Sequence, residues 1–92
     1  MTQHKFNPDW VVKPGDHITE LLETQGKTQA WLAKKTKRPT EQVNRLIKAR
    51  IRLTERWAIE LAKAFPGPSA EFWARLEANY RVGLAMGKKV MK

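Results

Sequence analysis

An all-α domain of five short helices is what this sequence predicts, and three observations predict it. Apolar residues recur at three- and four-residue spacing through five separate segments. Gly, Pro and helix-capping Ser or Thr residues separate those segments. No stretch alternates apolar and polar residues for long enough to make a convincing strand.

The lead-in "NPDWVVKPGD" is expected to be extended, because Pro8 and Pro14 each disfavour helix at the residue before them. Residues 16–25 form the first helix, with Ile18, Leu21 and Leu22 on one face and Gly26 as its stop. Thr28 caps a second helix, 28–35, that buries Leu32 and Ala33. The connection "TKR" leads to Pro39, suited to the first position of a third helix. That helix reaches about Lys48 and turns Val43, Leu46 and Ile47 inward. "ARIRL" links it to a fourth, capped by Thr54, with Glu55 in its first turn and Ala58, Leu61, Ala62 and Phe65 as its apolar stripe. "PGP" ends the fourth helix. Ser69 caps the fifth, where Phe72, Trp73, Leu76, Tyr80 and Leu84 fall on helical spacing. The organisation is an extended lead-in (1–13), a helical domain (14–85) and a basic tail (86–92) that is expected to fray.

Bulk properties narrow the function. Ninety-two residues make one domain, and a chain this small gains stability by associating with another copy. It has no Cys, which excludes disulfides and thiolate metal sites and fits a reducing compartment. The N-terminus lacks the apolar core of a secretory signal, and no apolar run approaches the roughly 18 residues of a membrane span. A soluble, cytoplasmic protein is expected. His4 and His17 lie at no metal-ligand spacing, Glu20 and Glu23 read as a solvated pair, and no nucleophile or phosphate-loop motif occurs. No enzyme, metal or cofactor is expected.

The charge is concentrated. Of a net +9, the stretch from Lys27 to Arg56 carries ten Lys and Arg against two acidic residues, leaving +1 for all the rest. Such clustering favours a polyanionic partner over a merely solvated surface. Helices two and three, with the tight turn between them, have the helix-turn-helix layout, in which the second helix enters the major groove. With its aliphatic residues inward, a 100° wheel puts Thr40, Glu41, Asn44, Arg45 and Lys48 on the outer side. Arg45 suits guanine O6 and N7, and Asn44 suits adenine. Thr40 suits a thymine methyl or a phosphate, and Glu41 suits cytosine N4. Thr28, Gln29, Lys34, Lys37, Arg38, Arg50 and Arg52 flank this face as candidate phosphate contacts, Gln29 beside the free N–H groups of the second helix.

"TQAWLAKKTKRPTEQVNRLIKARIRLT" resembles the Xre/Cro helix-turn-helix repressors. "PGDHITELLETQGKTQ" before it and "AIELAKAFPGPSAEFWARLEANYR" after it are similar to HigA-type antitoxins of addiction modules. The resemblance spans about residues 7 to 85. It implies a λ-repressor-like five-helix fold and a homodimer on double-stranded DNA at a palindromic operator, its two reading helices about 34 Å apart. It also implies a toxin protein that cleaves mRNA and is neutralised by the antitoxin. By the same resemblance, Gln29 matches a phosphate contact, and Thr40, Glu41, Asn44 and Arg45 match base-reading positions. Phe72, Trp73, Leu76 and Tyr80 match the helix that shapes the C-terminal core and dimer contact.

Two positions depart from the family's pattern. Lys37 stands where Gly is usual in the turn, and Ala49 where Gly usually ends the reading helix in a left-handed conformation. Either the turns differ or the chain tolerates the strain. Trp31 stands where a polar residue is common; it packs on the third helix or lies exposed. The competing readings are a phage or plasmid regulator without a toxin, and a protein-interaction module whose basic face grips an acidic partner.

Overall fold

The structure is a computed structural model that describes residues 10–90; His4, most of the lead-in and residues 91–92 lie outside them. Helices α1 (Pro14–Thr24), α2 (Gln29–Thr36), α3 (Thr40–Ile47), α4 (Glu55–Ala64) and α5 (Ala70–Ala85) follow in order. Two-residue strands, β1 (Trp10–Val11) and β2 (Lys89–Val90), flank them. Each expected Ser or Thr cap is in place. Thr28, Thr54 and Ser69 accept from the backbone N–H of Trp31, Trp57 and Phe72 at 3.1, 3.3 and 3.1 Å.

The core draws on every helix. Ile18, Leu32, Val43, Leu61, Phe65 and Trp73 are fully buried. Burying each is worth about 1.5–3 kcal/mol before the cost of ordering the chain. Leu21, Ile47, Phe72 and Leu76 pack partly buried against them.

Boundaries differ from the sequence expectation where proline chemistry works twice. Helix α1 begins at Pro14, not at residue 16, because Pro14's fixed φ suits the first helical position while only Lys13 before it is held extended. Pro39 stands one residue outside α3 rather than in its first turn, since its ψ of 146° is extended. The basic tail does not fray at residues 86–90. Gly87, at φ 83°, turns the chain back through Lys88 N–H to Gly83 O and Gly87 N–H to Leu84 O, both 2.9 Å. Lys89 and Val90 then pair in parallel with Trp10 and Val11. Gly83 makes this possible, because a Cβ there would lie 2.0 Å from Val11 Cγ1.

The turns around α3 resolve the question posed by its missing glycines. Lys37 and Ala49 both adopt the left-handed conformation, at φ 56° and 60°. Each closes a Schellman turn. Arg38 N–H reaches Ala33 O at 2.9 Å, and Arg50 N–H reaches Arg45 O at 2.8 Å. The geometry is kept and the strain is tolerated. Left-handed backbone costs an L-residue about 1–2 kcal/mol, partly offset in glycine by its freer unfolded chain. Lys37→Gly and Ala49→Gly are therefore each expected to stabilise by about 0.5–1 kcal/mol in chemical denaturation. A loss of stability in both would mean that these turns are not left-handed.

Candidate nucleic-acid interface

Helix α3 carries its charge outward because Val43 and Leu46 hold its other side in the core, with exposures of 0% and 2%. Thr40, Glu41, Arg45 and Lys48 are exposed, and Asn44 is half-buried at the junction with α2. The five expected reading positions thus share one helix face. Behind that face, α3 meets α1 backbone to backbone: a Cβ on Gly15 would lie 1.9 Å from Ile47 O.

Two contacts set the side chains of this face. Asn44 Nδ2 donates to Gln29 Oε1 at 3.3 Å, joining α3 to the first residue of α2. Arg45 Nη2 donates to Glu41 Oε2 at 2.8 Å, one helical turn back. Both members of that pair stay open to solvent, with side chains 54% and 74% exposed. Such a pair adds little to stability, about 0.3–0.5 kcal/mol.

Lys34, Lys37, Arg50 and Arg52 are exposed, as is Thr28, whose Oγ still has its hydrogen to donate. Arg38 is different. Its Nε and Nη2 both donate to Glu60 Oε1, at 2.9 and 2.8 Å, and its guanidinium lies 3.9 Å from the centroid of the Trp57 ring. Only 19% of the side chain is exposed. Arg38 therefore ties the turn to α4 instead of standing free as a phosphate contact. Its Nη1 also donates to Gln42 Oε1 at 3.4 Å. Trp57 was legible, since it lies four residues before Leu61 on the apolar stripe. Glu60 was not, because the pair spans 22 residues.

Phe72, Trp73, Leu76 and Tyr80 belong to the core. Trp73 and Tyr80 are buried, and Phe72 and Leu76 pack against the same cluster. Trp31 is half-buried and packs on Phe65, ring centroids 5.8 Å apart, with Lys27 and Lys35 over its ring. His17 sits against Phe72 and Trp73. Among the described residues no group of His, Asp and Glu could hold a metal ion, and no helix is long and apolar enough to cross a membrane.

No protein-family model and no curated protein matches the chain. Solved structures do. An addiction module antidote protein of a HigA family from Coxiella burnetii is 29% identical, with a TM-score of 0.73, over 82% of each chain. A Pseudomonas aeruginosa protein solved in complex with its 18-bp operator DNA is 27% identical, with a TM-score of 0.77, over 84% of this chain and 83% of that one. The Pseudomonas aeruginosa antitoxin HigA, solved with the higBA promoter, is 28% identical, with a TM-score of 0.74, over 80% of each.

Proposed function

We propose that this chain is a HigA-type helix-turn-helix antitoxin, as its solved neighbours support, and a sequence-specific DNA-binding repressor that reads its operator with α3. The observation that carries this reading is the two-sidedness of α3. One side is locked in the core by Val43 and Leu46, and the other offers Thr40, Glu41, Asn44, Arg45 and Lys48.

The chemistry fits base edges. With one Asn44 N–H given to Gln29, the remaining N–H and Oδ1 match N7 and the amino group of adenine. The Gln29 amide nitrogen is left to donate to a phosphate at the start of α2. Lys34, Lys37, Lys48, Arg50 and Arg52 supply sequence-independent attraction, and Arg38 drops out of that set. Thr28 joins it through its hydroxyl.

A second copy completes the reading. The described chain measures 36 × 31 × 22 Å, so two protomers side by side match the roughly 34 Å of one duplex turn. Trp73 and Tyr80 are buried, which leaves the partly buried Phe72 and Leu76 as the members of that helix set able to touch a second copy. Trp10, Val12, Val82 and Met86 form an exposed apolar face beside β1 and the end of α5, which a copy related by a two-fold axis would cover.

Selection of bound duplexes from a random pool tests this reading. The expected product is a near-palindrome with half-sites one turn apart. Its affinity should fall with salt at a log–log slope of about −4.5 per protomer, from five phosphate-contacting cations. Enrichment of no sequence would refute it; a single, non-repeated half-site would refute the dimer.

Neutralisation of an mRNA-cleaving toxin extends the proposal on the strength of the family alone. A cytoplasmic location follows from both roles. The test is whether the product of an adjacent reading frame arrests growth and is silenced by this chain. An operon without such a product leaves a regulator that acts alone.

A further inference from the structure

We propose that Glu41 is a specificity-determining residue that works through Arg45, holding its guanidinium in one orientation on the outer face of α3. This rests on the DNA-binding reading above and deepens it.

Glu41 is the one acidic residue between Lys27 and Thr54, in the most cationic part of the chain. It is exposed on the face that would meet a polyanion. A carboxylate there weakens binding to every duplex, because it repels phosphates whatever the sequence. Its place in the first turn of α3 favours the helix dipole, but a carboxylate at position 40 would serve that purpose without facing Arg45. Glu41, four residues before the arginine, is the acidic residue whose carboxylate reaches it.

The contact itself shows what the carboxylate does. Arg45 Nη2 is held 2.8 Å from Glu41 Oε2, which leaves a forked pair of N–H groups free for guanine O6 and N7. An unanchored arginine on an exposed helix can swing to the nearest phosphate when the base pair is wrong. With Glu41 holding it, that escape breaks a charged hydrogen bond and leaves the carboxylate facing phosphate alone. Glu41 thus supports the right contact and penalises the wrong one, and discrimination commonly combines both.

The test compares the full-length wild type with Glu41→Ala, Arg45→Ala and the double variant. Each is titrated against the duplex selected by the wild type, its single-base-pair variants and an unrelated duplex. Thermal melts accompany the titrations to show that every variant folds. Glu41→Ala is expected to flatten base preference at the same base pair as Arg45→Ala, and to tighten binding to the unrelated duplex several-fold. The operator-to-unrelated ratio should fall by about two- to threefold. In the Arg45→Ala background, removing Glu41 should leave base preference unchanged. Equal tightening on all duplexes, with preference intact, would overturn the assignment and leave Glu41 a mere negative charge. A wild type that selects no sequence would overturn the DNA-binding reading itself, and this assignment with it.

Discussion

Trp73→Ala is expected to lower the unfolding free energy by about 4 kcal/mol. A domain of this size has roughly 5–10 kcal/mol in all. The indole is fully buried and meets His17 of α1, Phe65 at the end of α4 and Phe72 of its own helix, at centroid distances of 5.7, 6.4 and 5.6 Å. No neighbouring helix can collapse into the space without losing one of these contacts. The melting temperature should drop by about 20 °C, read by circular dichroism. Trp73→Phe is the informative control. The indole N–H is buried with no hydrogen-bond partner among the described residues, so phenylalanine loses volume but also removes an unsatisfied donor. Its net cost should stay within about 1 kcal/mol. A large loss in Trp73→Phe would mean that the N–H has a partner.

Gly15→Ala carries the second large effect, and its sign is unusual. Inside an exposed helix, Gly to Ala normally stabilises by about 0.5–1 kcal/mol. Here the new methyl would stand 1.9 Å from Ile47 O and 2.5 Å from Ile47 C, and backbone cannot rotate aside as a side chain can. Helices α1 and α3 must separate, at a net cost of about 3 kcal/mol. Ile47 is the last residue of α3, the proposed reading helix, so operator affinity should fall more than the unfolded fraction alone explains. Chemical denaturation and duplex titration at a temperature where the variant is folded separate the two effects. A rise in stability would show that α1 and α3 are not in backbone contact.

The comparison of these two positions shows what a sequence can reveal. Trp73 was legible as core, because it falls on the apolar spacing of α5. So were the Thr28, Thr54 and Ser69 caps, each a hydrogen bond closed within three residues, and so was the outward face of α3. Local chemistry decides all of them. Gly15 was not legible, since its role is set by Ile47, 32 positions away in the chain yet touching it in space. Arg38 was expected as a phosphate contact, and its pairing with Glu60 on another helix was not legible for the same reason. The strand pair escaped notice because two residues give no period to detect, and its first strand is the lead-in while its second is the tail. Lys37 and Ala49 fall between these cases. Their left-handed turns follow from the family's pattern and run against the residues' own preference.

On the proposed function, the Asn44 and Arg45 side of α3 enters the major groove. Guanine N7 faces only that groove, so methylation interference at N7, applied to the selected operator, probes the claim directly. The expected result is that one methylated guanine in each half-site blocks binding of the wild type and has no effect on Arg45→Ala. Binding that tolerates N7 methylation at every guanine, but is lost when adenines are methylated at N3 in the minor groove, would contradict it.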